Sequence, residues 1–257
     1  MPNHDNHSHS LDILGIKPIG DSVAHVTKAT VDGAASFLAK ICHPAAEELG
    51  LLIQDKVRAW RANNAIAVVQ AAQKRLQKNT TPLHAHPRLV SSILEHGSWS
   101  DDPDFQSIWG GLLASSCCPD GKDDSNVIFV NLLSHLTTIQ VKVLAYSCVQ
   151  CSKKVSPLGL IGPASELHIS ADELKKIVGS DDLHRIDREL DNLRGLELIN
   201  NGFDFQSQVI EIAPTSLALN LFSRCQGFAG SPVDFFGITQ SAASSSPITG
   251  ISTGEAQ

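Results

Sequence analysis

The chain has 257 residues, enough for two domains with separate cores. Its net charge of −7 argues against a general polyanion binder, because affinity for a nucleic-acid backbone comes from clustered Lys and Arg. Hydrophobic residues make up 42% of the chain but aromatics only 5%, so aliphatic side chains must fill most of the core.

Residues 1–25 are polar and carry His4, His7 and His9, which predicts a disordered tail; metal capture by a histidine-rich tract is the lesser reading. This stretch has neither a basic n-region nor an apolar h-region, and no window reaches the roughly 18 consecutive apolar residues of a membrane span. The expectation is a cytoplasmic protein with no membrane span, whose six cysteines are thiols.

A short helix is predicted over Val31–Cys42, with Ala34, Ala35, Phe37, Leu38 and Ile41 on its apolar face. Residues 44–79 then read as one long amphipathic helix of roughly 54 Å, a spine for shorter helices. Leu49, Ile53, Val57 and Trp60, followed by Ile66, Val69, Ala72 and Leu76, form the side predicted to be buried. Asp55, Lys56, Arg58, Arg61 and Asn64 make a polar cluster midway, a solvated face or a surface for a partner's carboxylate or phosphate.

After the break at Asn79–Pro82, helices are predicted over Pro87–His96, Asp104–Cys118 and Asn126–His135. Phe105, Ile108, Trp109, Leu112 and Leu113 repeat at helical spacing; with Trp60 they are the candidate core. Gly110 and Gly111 lower helix propensity, so another backbone should approach them closely. The body is thus expected to span residues 26–136.

A second unit is expected over 137–227: a helix over Thr138–Lys153, a loop over 157–163, a short strand at Leu167–Ile169, a capped helix Ala171–Val178, a helix Asp182–Arg194, strand-like runs Leu196–Ile199 and Val209–Ile212 around Asn200-Asn201-Gly202, and a closing helix Thr215–Cys225. This is the element order of a winged helix-turn-helix. The fold class is therefore mainly α: a helical body on one long helix, followed by a winged-helix-like α+β unit with a small hairpin. Residues 228–257 contain 19 Ala, Gly, Ser, Pro or Thr and predict a second disordered tail, with Val233-Asp234-Phe235-Phe236 its one apolar cluster.

Chemistry-bearing motifs are sparse. Cys148-x-x-Cys151 and Cys117-Cys118 suggest a zinc site only by composition, since the first lies in a helical pattern and a vicinal pair cannot easily face one ion; buried thiols are the expected state, with no metal and no cofactor. No nucleophile elbow, P-loop, zincin or dinucleotide motif occurs, so enzymatic activity is not expected. His84, His86, Glu95 and His96 read as turn or surface residues, and Asp101, Asp102 and Asp104 as helix caps. Between Thr137 and Gly227 there are nine Lys and Arg against eleven Asp and Glu, a balance of −2. A nucleic-acid-binding regulator acting through Arg185 and Arg188 is therefore the alternative, and contact with a protein the stronger reading.

Three stretches resemble the abortive infection alpha family of bacterial phage-resistance proteins: EELGLLIQDKVRAWRANNAIAVVQAAQKRL (Glu47–Leu76), DDPDFQSIWGGLLASS (Asp101–Ser116) and SHLTTIQVKVL (Ser134–Leu144). Gly110-Gly111 replaces larger residues of the family pattern, and Gln140 stands where Glu is frequent. The resemblance implies antiphage defence by halting the growth of the infected cell or killing it, and supplies no mechanism or active site; a protein partner or phage component is the expected contact. The surface expected to serve that role comprises Asp55, Arg58, Arg61, Asn64, Arg185 and Arg188.

Overall fold

A computed structural model describes residues 28–42, 56–77, 79–204 and 209–238. The expected N-terminal tail, the first part of the spine with Leu49, Ile53 and Asp55, and residues 239–257 lie outside the described residues.

The described elements are α1 (Lys28–Ile41), α2 (Lys56–Leu76), β1 (His84–Ala85), α3 (Pro87–Gly97), α4 (Pro103–Ser115), β2 (Cys117–Cys118), α5 (Val127–Ser134), α6 (Thr138–Gln150), β3 (Lys153–Val155), β4 (Ile161–Pro163), β5 (His168–Ser170), α7 (Ala171–Val178), α8 (Leu183–Gly195), β6 (Val209–Glu211), α9 (Ser216–Cys225) and α10 (Pro232–Phe235). The protein is mainly helical, and among the described residues the strands form three two-stranded antiparallel pairs: β1 with β2, β3 with β4, β5 with β6. Local chemistry places most helix starts. Asp102, Ser170, Asp182 and Thr215 each accept a backbone N–H of the first turn, while Pro87 and Pro103 fill first-turn positions that need no N–H donor. Of the acidic residues at 101–104, Asp102 is the cap and Asp104 lies in the first turn of α4.

Helix α2 is the described part of the spine, and its buried stripe differs from the predicted one. Ile66, Val69 and Ala72 are buried as expected, but Val57 is 58% and Trp60 37% exposed. Upstream the inward positions are instead Ala59, Ala62 and Ala65, together with Asn64. Val57 and Trp60 are turned outward, and alanines take the inward positions beside them. Further along the helix α4 lies so near that a Cβ on Gly110 would sit 2.4 Å from the Ala71 Cβ and 2.7 Å from the Val68 carbonyl oxygen.

Gly111 serves a second close approach. A Cβ there would lie 1.6 Å from the Cys225 carbonyl oxygen, so the end of α9 sits directly on α4. The close backbone approach expected at the glycine pair is thus present, and it is made by two neighbours, α2 at Gly110 and the end of α9 at Gly111. Trp109, Leu112 and Leu113 are fully buried between them, and Phe105 is half-buried against the same core. Buried residues from α1 to α9 form one hydrophobic cluster, which runs through both expected units.

In the second half, the loop expected over 157–163 is instead the turn and second strand of the β3–β4 hairpin, with Val155 opposite Ile161. The run Leu196–Ile199 is not a strand. Leu196 and Leu198 donate to the Asn192 and Leu193 carbonyls and Glu197 adopts a positive φ of 58°, so the segment terminates α8. Pairing starts later, with bridges Ile199–Pro214 and Phe203–Ile210, while β6 takes its regular partner from β5.

The expectation of a disordered tail from residue 228 also fails as far as Ile238. Phe228 donates to the Ser223 carbonyl and Gly227 (φ 91°) to that of Arg224, closing α9 with a left-handed turn that carries the chain back onto it. Helix α10 then brings Phe235 and Phe236 against Phe222, with ring centroids 6.1 and 6.2 Å away.

Candidate functional site

The polar cluster predicted on the spine resolves into a clasp. Asn64 is buried; its Nδ2 donates to the Ser98 carbonyl at 3.0 Å and its Oδ1 accepts from Gln106 Nε2 at 3.2 Å. Gln106 Nε2 also donates to the Ser100 carbonyl at 2.9 Å. One turn earlier, Arg61 donates through Nε to Ser98 Oγ at 3.0 Å and through Nη2 to Glu95 Oε2 at 2.6 Å. Its guanidinium carbon lies 4.2 Å from the Trp99 ring centroid, and Trp99 Nε1 donates to Glu95 Oε1 at 3.3 Å.

Two residues of the predicted interaction surface therefore have other work. Asn64 is inside the protein, and the Arg61 side chain is only 13% exposed, its donors taken by Ser98 and Glu95. A helix position facing a neighbour's turn buries its polar group only with partners. Those partners, Glu95, Ser98, Trp99 and Gln106, were not foreseen; the available signal was a polar pair, Arg61 and Asn64, within an alanine stripe. Burial pushes the Glu95 carboxyl up, but hydrogen bonds from Arg61 and Trp99 and the charge of Arg61 outweigh it and hold the group below its ordinary value.

The clasp fixes the Ser98–Ser100 turn and presents Trp99 at the rim of a cleft of about 220 Å³. Its lining comes from the end of α3 (His96), the turn (Trp99, Ser100), the start of α4 (Phe105, Trp109) and the end of α5 (Leu133, Ser134). The His96 ring stacks on Trp109 at 6.1 Å and 15°, while the adjacent Glu95 binds Arg61. Trp60 extends the rim, 6.4 Å from Trp99. Trp60, predicted as core, is thus part of an exposed aromatic pair, and the buried positions beside it are Ala59 and Ala62. All three tryptophans of the chain gather here.

Of the remaining predicted surface residues, Arg58, Arg185 and Arg188 are exposed. The two on α8 share its outer side with exposed Asp182 and Asp191, so that face carries both signs. Asp191 pairs with Arg194 at 2.6 Å.

A second polar junction holds α6 to α8. Thr137 and Gln140 form a reciprocal capping box, Thr137 Oγ1 donates to Glu189 Oε2 at 2.8 Å, and Gln140 Nε2 donates to the Glu189 carbonyl at 3.2 Å. Five of the six cysteines are buried, and Cys118 is half-buried beside Asp120. Burial drives the Cys117 and Cys225 thiols up to about 12 and that of Cys148 higher still, and Cys148 donates its S–H to the Ala218 carbonyl. Among the described residues no group of three or more His, Cys, Asp or Glu is arranged to hold a metal ion, and no helix is long and apolar enough to cross a membrane.

These features define a mainly helical protein whose spaced signature residues act as internal joints: Asn64 and Gln106 in the clasp, Trp109 under the cleft, Thr137 and Gln140 at the second junction. The chain belongs to the abortive infection alpha family, which matches it over residues 61–215, more than half its length. Neither the curated proteins nor the solved structures contain a match. Family membership points to a part in abortive infection.

Proposed function

We propose that the protein is a bacterial antiphage defence protein that works by binding or sensing a phage or host macromolecule, in the cytoplasm and without catalysis. The observation that carries this reading is the family match, which runs over residues 61–215, from within α2 to the start of α9. The contact face we assign is the aromatic rim of Trp99 and Trp60 with the adjoining cleft. Exposed tryptophans bury large apolar area at low entropic cost and are enriched at binding hot spots. Trp99 is also held ready by Arg61 and Glu95, so little ordering is required on binding.

For residues 137–227 we keep the winged helix-turn-helix reading as a domain assignment. It is supported by the run β5, α7, α8, bridged segment, β6, α9 and by the pairing of β5 with β6, with the β3–β4 hairpin inserted between α6 and β5 as an addition to the winged-helix order.

Expression in a susceptible bacterium challenged with a panel of phages tests the proposal. Protection is expected from the unaltered chain and lost in Trp99→Ala, whose melting point should stay within a few degrees. No protection by the unaltered chain against any phage sinks the defence role. Full protection by Trp99→Ala leaves that role standing and removes the rim from it.

A further inference from the structure

The β3–β4 hairpin ends in the two most exposed large apolar side chains among the described residues, Leu158 at 87% and Leu160 at 66%. Its base is fixed to the body. Ile161 is buried in the shared core, a Cβ on Gly162 would touch Ser216 Oγ at 3.4 Å, and Lys153 Nζ donates to the Cys151 carbonyl at 2.6 Å while lying 4.6 Å from the Phe236 ring centroid. The tip beyond is a tight turn that satisfies its own backbone. Ser156 N–H donates to the Leu160 carbonyl at 2.8 Å, Gly159 N–H to the Ser156 carbonyl at 2.9 Å, and Leu160 N–H to Ser156 Oγ at 3.1 Å. Pro157 has no N–H and Gly159 takes the left-handed conformation the turn requires (φ 82°), so between Ser156 and Leu160 only the Leu158 N–H is left without an acceptor.

Such a tip loses little when water is replaced by a medium of low dielectric, because the cost of that transfer lies in unpaired N–H and C=O groups. The charge around it gives the sign of the surface it suits. Residues 125–165 contain no Asp or Glu, in a chain that has 27 of them, and their only Lys or Arg residues are Lys142, Lys153 and Lys154. The first carboxylate beyond the hairpin, Glu166, is held by His168 Nε2 at 2.8 Å. Lys154 is exposed, with no hydrogen bond or ion pair among the described residues. It stands opposite Gly162 in the ladder, which puts its side chain on the same face as that of Leu160 and roughly 7 Å nearer the body.

We propose that the hairpin tip is a membrane-surface anchor: Leu158 and Leu160 enter the boundary between headgroups and acyl chains of a bilayer rich in anionic lipid, and Lys154 stays at headgroup level against the phosphates. The contact is reversible, since two leucines bury less apolar surface than a single acyl chain, which itself gives only marginal anchoring. A nucleic acid does not suit the tip, because leucines make no phosphate contacts, and a peptide adding as a strand needs backbone donors that the turn has already used. The anchor adds a location to the defence role and does not depend on the Trp60–Trp99 rim.

Flotation of the full-length chain with lipid vesicles tests it. With excess vesicles of phosphatidylglycerol and phosphatidylethanolamine at low salt the unaltered chain is expected to float, and with phosphatidylcholine vesicles to bind at least about fivefold more weakly, the attraction of one lysine to an anionic surface. Leu158→Ser together with Leu160→Ser is expected to lower the partition coefficient by about tenfold or more, and Lys154→Gln by about fivefold, with melting points that stay within a few degrees. No flotation with the anionic vesicles, equal flotation with the neutral ones, or flotation undiminished in the double variant overturns the proposal. A double variant that fails to fold overturns it too, since the leucines would then be packed. Concentration-dependent dimers of the unaltered chain that the double variant does not form, with no flotation of either, would assign the tip to a second copy and overturn the lipid surface chosen here.

Discussion

Gln140 shows how a single atom decides what a position can hold. Its Oε1 accepts from the Thr137 N–H at 3.0 Å, which a glutamate would also do, but its Nε2 donates to the Glu189 carbonyl, which an ionised glutamate cannot. The departure from the family pattern is thus explained by the partner on α8. Gln140→Glu strips the Glu189 carbonyl of its donor and sets a second carboxylate near that of Glu189. The loss of one buried hydrogen bond, about 1–3 kcal/mol, exceeds the few tenths a charged capping box returns. Urea denaturation should show a destabilisation of about 1–2 kcal/mol; an unchanged midpoint would place the Gln140 amide elsewhere. Glu95 gives a pH-dependent counterpart. Its pKa in the folded state lies below the ordinary 4.5, so its contribution is complete above that value and is lost as pH falls through the lowered one. The pair is partly solvated, so Glu95→Gln should cost below about 1 kcal/mol at pH 7. Its stability curve should converge on that of the unaltered protein in acid; a gap that persists at pH 2 contradicts the assignment.

Between elements, the decisive contacts are made by the smallest residues. An alanine at 111 gains up to about 1 kcal/mol of helix propensity, yet its Cβ would lie 1.6 Å from the Cys225 carbonyl oxygen, and α9 must move to admit it. Overpacking of this kind costs about 3 kcal/mol or more, so the clash wins and Gly111→Ala should lower the melting point by several degrees. A rise in melting point would mean that α9 does not rest on α4. That something packs against Gly110-Gly111 was readable in the sequence, because nothing else excuses two glycines in one helix. Which neighbour packs there was not, since Cys225 lies more than a hundred residues on. Size also misleads on the spine: periodicity weighted by size picks Val57 and Trp60, whereas the buried positions there are Ala59, Ala62 and Ala65. Two-residue strands such as β1 and β2 are shorter than any period and leave no pattern. The clasp was half legible: Arg61 and Asn64 stood out, but their partners come from the turn after α3 and from α4, which only folding brings together. Helix α10 was legible as an apolar cluster in a polar tail, while the Phe222 face that receives it belongs to a different element.

At the scale of the whole molecule the question is whether the body and the second unit unfold together. Composition and element order suggest a boundary near residue 137, yet the buried residues on both sides join in one cluster. The junction is also stitched by polar contacts. Arg75, at the end of α2, donates to Ser107 Oγ on α4 and to the Gln226 carbonyl just after α9, and burial lowers its pKa without removing its charge. The seam between the units therefore has the close packing of an interior, as the Gly111 contact requires. The chain offers a clean way to ask the question, because its three tryptophans all lie in the body and its one tyrosine, Tyr146, lies in α6. Tryptophan fluorescence then reports the body alone and circular dichroism at 222 nm reports helices in both halves. We expect one transition, with the two probes coinciding within error in guanidinium. A tryptophan midpoint displaced from the helix midpoint would show two separately folding domains and would remove the shared core from this account. Arg75→Met, which keeps much of the side chain's bulk and deletes its three hydrogen bonds, should weaken the seam without opening a large cavity. It should lower both midpoints together by an amount equivalent to about 2–4 kcal/mol, and an effect confined to one probe would show that the seam does not couple the two halves.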